Sequence, residues 1–134
     1  MKISFHHIGV ACTNLDSEAR RFALLGYSPE SPDFTDPVQG VTGRFLIGGG
    51  PRMELLMSLP GEGILTPWLK SGVKLYHLAY ECSDITAAID HYRKEGAKLM
   101  VPPVPAIAFS GRLIAFLMLP NMLLIELIEN GSPQ

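Results

Sequence analysis

The chain contains two copies of one sequence pattern, and this repeat constrains its fold more than any other feature. Residues 7–26 align with residues 77–96 without a gap, so that equivalent residues lie 70 positions apart. The matched pairs are His7 with His77, Cys12 with Cys82, Asn14 with Asp84, Leu15 with Ile85, Phe22 with Tyr92 and Gly26 with Gly96. A repeat of this kind predicts two similar structural units.

Each copy continues through a Gly-Arg pair into an apolar segment that contains a single glutamate. In the first copy Gly43-Arg44 precedes residues 52–57, which include Glu54. In the second copy Gly111-Arg112 precedes residues 124–128, which include Glu126. The repeat therefore places one histidine and one carboxylate at matching positions in each half, and we expect a single site where the halves meet.

The local pattern predicts the same order of elements in both copies. Residues 5–11 and 75–81 are short apolar runs with β-branched and aromatic residues, which is typical of strands. Each run is followed by a helix N-cap residue, by apolar residues at helical spacing and by a glycine suited to a left-handed helix C-terminus. The N-cap residues are Asn14 and Asp84, and the glycines are Gly26 and Gly96.

Hairpins complete the predicted modules. Residues 28–37 and 101–105 are rich in proline, and we expect loops there. Hairpin strands are predicted at residues 42–47, 51–57, 112–118 and 123–128. The predicted fold is α+β, with a first βαβββ module at residues 1–59, a connector at 60–72 with a helical turn near Trp68, and a second βαβββ module at 73–134.

Composition excludes several function classes. The formal net charge is −2 and neither half has a basic cluster, so no nucleic acid or anionic membrane partner is expected. No apolar run approaches the roughly 18–20 residues that a membrane span needs. The N-terminus lacks a signal pattern, and the two cysteines occupy equivalent, separate positions. We therefore expect a cytoplasmic protein with two small buried thiols.

The repeated histidines and glutamates are the candidate site. Taken alone, Glu54 or Glu126 is best interpreted as a solvent-facing residue of a half-buried sheet, because a buried carboxylate needs a cation, a metal or a partner. Taken together with His7 and His77, the two glutamates form a mixed nitrogen and oxygen donor set that suits a divalent transition metal. Ni, Co, Mn, Zn and Fe all fit such a set, and the sequence does not choose among them.

These residues also carry a family resemblance. The sequences around His7-Ile-Gly-Val-Ala, Glu54-Leu-Leu, Tyr76-His77-Leu-Ala-Tyr80 and Ile125-Glu126-Leu-Ile-Glu129 resemble the vicinal oxygen chelate superfamily. That family includes glyoxalase I, methylmalonyl-CoA epimerase, extradiol dioxygenases and bleomycin-resistance proteins. The resemblance implies paired βαβββ modules in a curved, eight-stranded sheet that forms a cup. It also implies one metal ligand from each of four strands, at His7, Glu54, His77 and Glu126.

Three function classes follow from the resemblance. The first is a metal-dependent isomerase or lyase that acts on an α-substituted carbonyl or thioester substrate through an enolate, with Glu126 or Glu54 as the catalytic base. The second is a ring-cleaving dioxygenase, and the third is a metal-free drug-binding protein. The intact set of four ligands favours the first class, and members of the family are often homodimers, which we expect here.

The sequence also departs from its nearest family patterns. The connector at residues 65–70 is similar to methylmalonyl-CoA epimerase, but residues 40–44 lack the carboxylate that the epimerase has there. Glu54 is the ligand typical of glyoxalase I, where the epimerase commonly has glutamine. Ala11 and Ser58 stand where glyoxalase I would bind glutathione, so that substrate is not supported.

Other features have less weight. Residues 48–51 predict a hairpin turn rather than a phosphate cradle, because no Lys or Ser/Thr helix start follows. Ser110 lies in a loop that could act as a lid, and His91 is expected in solvent. Arg44 and Arg112 are candidates to bind an anionic group of a substrate. The remaining apolar residues of this region are expected in the core by default, with a few of them lining the cup, and they are Phe45, Ile47, Phe109, Ile114 and Phe116.

Overall fold

A computed structural model describes residues 2–131 of the chain. These residues form nine strands, three α-helices and one short 3-10 helix at Ile107–Phe109. The strands are β1 (Ile3–Ala11), β2 (Ser28–Pro29), β3 (Phe34–Asp36), β4 (Val41–Ile47), β5 (Met53–Ser58), β6 (Leu75–Cys82), β7 (Lys98–Pro105), β8 (Leu113–Met118) and β9 (Leu124–Glu129). The helices are α1 (Leu15–Ala23), α2 (Thr66–Lys70) and α3 (Ile85–Lys94).

The described residues divide into two compact units, and β1 crosses the boundary between them. The first unit is His7–Tyr76, and the second unit consists of residues 2–6 and 77–131. In the first unit the strands pair in the order β2-β4-β5-β1, and β3 pairs with β4. In the second unit the order is β6-β9-β8-β7.

The two units have the same pattern of parallel and antiparallel strand pairs. The pairs β1–β5 and β6–β9 are parallel, and the hairpin pairs β4–β5 and β8–β9 are antiparallel. A parallel pair needs a crossover connection, which α1 and α3 provide. The predicted α+β fold with two similar modules is confirmed.

Both predicted helix caps are confirmed. The Asn14 side chain accepts a hydrogen bond from Ser17 N at 2.9 Å, and the Asp84 side chain accepts one from Ala87 N at 3.1 Å. Each cap satisfies an otherwise unpaired N–H at the helix N-terminus. Gly26 and Gly96 follow the helices with φ of +94° and +97°. A side chain makes this conformation unfavourable, whereas glycine adopts it at little cost.

Helices α1 and α3 each pack on one face of the strands of their own unit. In the first unit α1 contributes Leu15 to a core that includes Val10, Leu46 and Leu55. In the second unit α3 contributes three buried residues to an equivalent core with β6, β8 and β9, and they are Ile85, Ala88 and Ile89. Because one face of the strands is filled by a helix, side chains that alternate with these core residues point to the opposite face.

The two expected loops contain strands, so that part of the prediction is wrong. Residues 101–105 belong to β7, which pairs with β8 despite its prolines, and residues 28–37 contain β2 and β3. In the order of the second unit β7 is the terminal strand, where a residue needs ladder hydrogen bonds on one side only and proline is tolerated. Shifts in the β7–β8 register around Val101 accommodate the extra residues. Residues 2–131 therefore contain nine strands rather than the predicted eight.

The cysteines behave as predicted. Cys12 and Cys82 are free and buried, each in the helix-facing core of its unit. Burial raises the pKa of both thiols to about 11. Such thiols are almost wholly protonated near neutral pH and are poor nucleophiles. Among residues 2–131, no helix is long and apolar enough to cross a membrane.

Candidate functional site

In the first unit His7 and Glu54 lie in contact on neighbouring strands. His7 is on β1 and Glu54 is on β5, where Gly9 is its direct cross-strand partner. The His7 Nε2 and Glu54 Oε1 atoms are 3.0 Å apart. His7 is fully buried and Glu54 is 4% exposed. Both side chains point away from α1, because Val10 and Leu55 occupy the alternate, helix-facing positions.

The second unit repeats this arrangement. His77 is on β6 and Glu126 is on β9, where Ala79 is its direct cross-strand partner. The His77 Nε2 and Glu126 Oε1 atoms are 3.1 Å apart, and both residues are at most 3% exposed. The two units thus have a histidine and a glutamate at equivalent places in equivalent strand pairs. The sequence repeat is therefore also a repeat of geometry.

The burial of both carboxylates excludes the solvent-facing interpretation of Glu54 and Glu126. A buried carboxylate next to an imidazole needs compensation, from a hydrogen bond that the imidazole N–H donates, from a protonated histidine or from a cation that both groups bind. Two ligand atoms bound at about 2.1 Å and at right angles around one metal lie about 3.0 Å apart. The observed separations of 3.0 and 3.1 Å fit that arrangement. The donor set of each unit is therefore suited to a divalent metal.

An aromatic ring contacts each histidine, and both rings belong to the apolar set that is expected in the core by default, with a few members lining the cup. Phe45 is the cross-strand partner of Glu54, and its ring meets His7 edge-on with centroids 5.5 Å apart. Phe116 is the cross-strand partner of Glu126 and meets His77 in the same way at 5.2 Å. Each unit thus has a His–Glu–Phe group. The segment between the histidine and the phenylalanine is one residue longer in the second unit, so the phenylalanines are 71 positions apart (116 − 45) and the histidines are 70 positions apart (77 − 7).

The register also corrects the alignment of the two arginines. Arg44 pairs with Leu55, whereas the residue in the equivalent place of the second unit is Ala115, which pairs with Leu127. Arg112 precedes β8 altogether. The two Gly-Arg pairs are therefore not structurally equivalent.

Both arginines form ion pairs with carboxylates of the protein. Arg44 donates to Asp33 from Nε at 2.7 Å and to Asp16 from Nη2 at 2.8 Å, and its guanidinium lowers the pKa of Asp33. Arg112 donates to Glu81 at 3.0 Å. These ion pairs give each arginine a structural role.

The structure also places the turn at residues 48–51, His91 and Ser110. Residues 48–51 form the turn between β4 and β5, as predicted, and His91 is exposed, as predicted. Ser110 has a left-handed φ of +55° at the turn after the 3-10 helix, a conformation that is uncommon for residues other than glycine.

Gly43 makes room for a ring that covers Phe45. The ring of Phe34 lies on that of Phe45 with centroids 5.8 Å apart. A Cβ at Gly43 would lie 2.7 Å from Phe34 Cε1 and 2.9 Å from Leu56 Cδ2. The close approach of Phe34 therefore depends on glycine at this position.

We expect Gly43→Ala to lower the free energy of unfolding by about 1–3 kcal/mol, because an added methyl overpacks a filled space. Denaturant unfolding measures the change. Gly131→Ala is the matched control, since its Cβ would meet nothing closer than Arg112 Cδ at 3.9 Å. Equal effects of the two substitutions would show that the Phe34 ring adjusts without cost.

Comparison with known proteins adds a family match and a relative. Residues 6–116 match the model of a family described as the Glyoxalase/Bleomycin resistance protein/Dioxygenase superfamily. An ethylmalonyl-CoA/methylmalonyl-CoA epimerase from Cereibacter sphaeroides is 30% identical to the chain over 117 residues. These residues cover 84% of this chain and 85% of that protein.

Solved structures share the fold. A hypothetical protein from Bacillus halodurans C-125 has a TM-score of 0.82 and 24% identity, covering 100% of this chain and 99% of that chain. A variant of Streptomyces coelicolor methylmalonyl-CoA epimerase in complex with 2-nitronate-propionyl-CoA has a TM-score of 0.78 and 24% identity, covering 96% and 97%. The glyoxalase-like fold predicted from the sequence is confirmed.

Proposed function

This chain belongs to the Glyoxalase/Bleomycin resistance protein/Dioxygenase superfamily, and we propose that it is a divalent-metal-dependent isomerase that moves a proton at the carbon next to a thioester carbonyl. The observation that carries the proposal is the pair of buried His–Glu contacts at equivalent places in the two units. Two such contacts are costly as isolated buried ion pairs, and a cation that both units share would stabilise them.

We propose that His7, Glu54, His77 and Glu126 together hold one metal ion. Each offers one ligand atom, an imidazole nitrogen or a carboxylate oxygen, and all four residues are buried. Such a set accepts Ni, Co, Mn, Zn or Fe. When bound, a divalent metal supplies a Lewis acid that polarises a carbonyl group and makes the neighbouring C–H more acidic.

The proposed substrate is the coenzyme A thioester of a 2-alkylmalonate. The relative from Cereibacter sphaeroides carries the name of ethylmalonyl-CoA/methylmalonyl-CoA epimerase and matches most of the chain at 30% identity. A substrate of this class has an acidic α-hydrogen between two carbonyl groups, so that proton removal gives a stabilised enolate. A metal-free binding protein would not need two buried His–Glu contacts, and we do not favour that alternative.

The proposed base is Glu126. Its carboxylate takes the α-proton: the C–H bond breaks, the electron pair enters the thioester as an enolate, and the proton goes to a Glu126 oxygen. Return of the proton to the same face regenerates the starting material, and return to the opposite face inverts the configuration. Glu54, the equivalent carboxylate of the other unit, is the proposed group for the opposite face. The composition of the substrate is unchanged in either case.

We expect the purified, metal-loaded protein to exchange the α-hydrogen of 2-alkylmalonyl thioesters for deuterium in D2O. NMR or mass spectrometry follows the exchange, over a small panel that includes methylmalonyl-CoA, ethylmalonyl-CoA and other α-substituted carbonyl compounds. A matched sample treated with a chelator should lose the exchange and regain it when metal is restored. Exchange that is independent of metal, or exchange of no compound in the panel, would contradict the proposal.

A further inference from the structure

The two units differ beside their His–Glu contacts, in how well the neighbouring phenylalanine is covered. In the first unit Phe34 on β3 is paired with Gly43 on β4, and its ring lies against Phe45. Phe45 is accordingly buried, with 7% of its surface exposed. The apolar surface beside His7 is therefore closed by a side chain of the protein itself.

In the second unit the equivalent cover is missing. The residue in the place of Phe34 is Val104, which pairs with Ile114 rather than with a glycine. Ile114 is fully buried and fills the space that Gly43 leaves to Phe34 in the other unit. A valine is too short to reach over a neighbouring ring as phenylalanine does. Phe116, the equivalent of Phe45, is only partly buried as a result.

A small apolar surface is thus left beside the second His–Glu contact. Val101 on β7 pairs directly with Phe116, and Phe116 pairs directly with Glu126, so that the three side chains stand in a row on one face of the sheet. Val101 is 37% exposed. The row ends at Glu126, the proposed catalytic carboxylate. A substrate group that lies next to this carboxylate therefore has apolar neighbours, Phe116 on β8 and Val101 on β7.

We infer that Phe116 and Val101 form the contact for the α-alkyl group of the substrate, and that Phe116 sets how large this group can be. The inference rests on the proposed function and adds to it a specificity-determining residue. The α-carbon bears both the hydrogen that Glu126 removes and the alkyl group, which brings that group close to the cross-strand partner of Glu126. Phe45 cannot serve an equivalent purpose, because Phe34 covers its ring.

The experiment compares Phe116→Leu with the matched variant Phe45→Leu. Both substitutions remove a ring that contacts a histidine, so both are expected to loosen the metal site to a similar degree. Only Phe116→Leu should enlarge the alkyl contact. We expect it to raise the ratio of kcat/KM for ethylmalonyl-CoA to that for methylmalonyl-CoA by about tenfold, the scale of one methylene in an apolar pocket. Phe45→Leu should leave this ratio within about twofold of the wild-type value.

A binding measurement gives a readout that does not depend on turnover. In a Glu126→Gln background, calorimetry gives the dissociation constants of the two thioesters, with and without Phe116→Leu. Their ratio should shift in the same direction as the kcat/KM ratio. Metal content and thermal unfolding of each variant identify a protein that has failed to fold, and Phe116→Met then serves as a milder replacement.

The outcomes separate this inference from the proposed function. If exchange continues but Phe116→Leu leaves the ratio unchanged, or Phe45→Leu shifts it equally, the assignment of Phe116 is wrong and the proposed function stands. If the wild-type protein exchanges neither thioester, both fail.

Discussion

Glu126→Gln is expected to lower the rate of α-proton exchange by about 10²-fold or more while the metal stays bound. The amide oxygen of glutamine can still coordinate a metal, but the amide group cannot take a proton from carbon at neutral pH. The change removes the base and keeps the shape of the side chain, which is needed because Glu126 is buried beside His77 and Phe116. The measurement is deuterium exchange at saturating substrate, with metal content determined on the same samples.

Glu54→Gln is the matched comparison, because Glu54 has the same neighbours in the first unit. Its aromatic neighbour Phe45 is covered by Phe34, whereas Phe116 is only partly buried. We therefore expect Glu54→Gln to lose less exchange activity than Glu126→Gln, although both should retain metal. Full exchange in a metal-replete Glu126→Gln protein would show that the base is elsewhere, and a greater loss in Glu54→Gln would assign the base to the first unit.

Much of the fold could be predicted because its signals are local. Asn14 and Asp84 cap helices through their own side chains, and Gly26 and Gly96 have the positive φ that ends them. These signals depend on a few adjacent residues and occur twice, so each copy supports the interpretation of the other. The histidines and glutamates could be predicted as a candidate site because they too occur once in each copy of the repeat.

The remaining features depend on contacts between distant segments. Residues 101–105 contain three prolines and indicate a loop, yet they pair with β8 because a terminal strand needs hydrogen bonds on one side only. The two Gly-Arg pairs appear equivalent in sequence, but the register shows that Ala115, not Arg112, occupies the place of Arg44. Arg44 lies 10 residues before Glu54, whereas Arg112 lies 14 residues before Glu126, and only the strand pairing shows which residues are equivalent.

The place of the two phenylalanines beside the histidines also could not be predicted from the sequence. An isolated phenylalanine in an apolar strand is most often a core residue. Phe45 and Phe116 become recognisable as part of a site only when their cross-strand partners, Glu54 and Glu126, are known. The difference between the two rings comes from Gly43, whose missing side chain admits Phe34. No pattern in the sequence links these residues before the strands are paired.

The combined substitution His7→Ala and His77→Ala is expected to abolish stoichiometric metal binding. It removes both nitrogen donors of the proposed site, and a change in groups that only support metal ligands already costs about 10–100-fold in affinity. Loss of the ligands themselves should cost at least that much for each histidine. Metal analysis after dialysis against a stated concentration of free metal gives the stoichiometry. His91→Ala, an exposed histidine of α3, is the control and should leave metal content unchanged.

Thermal unfolding separates a metal site from two buried ion pairs. A ligand that binds only the folded state stabilises it, by about 2.7 kcal/mol at one hundred times its dissociation constant. Metal should therefore raise the Tm of the wild-type protein, and a chelator should lower it. The double variant should have the same low Tm in both conditions. Two ion pairs without a metal would instead give a wild-type Tm that does not respond to the chelator. Stoichiometric metal in a folded double variant would show that His7 and His77 are not the ligands.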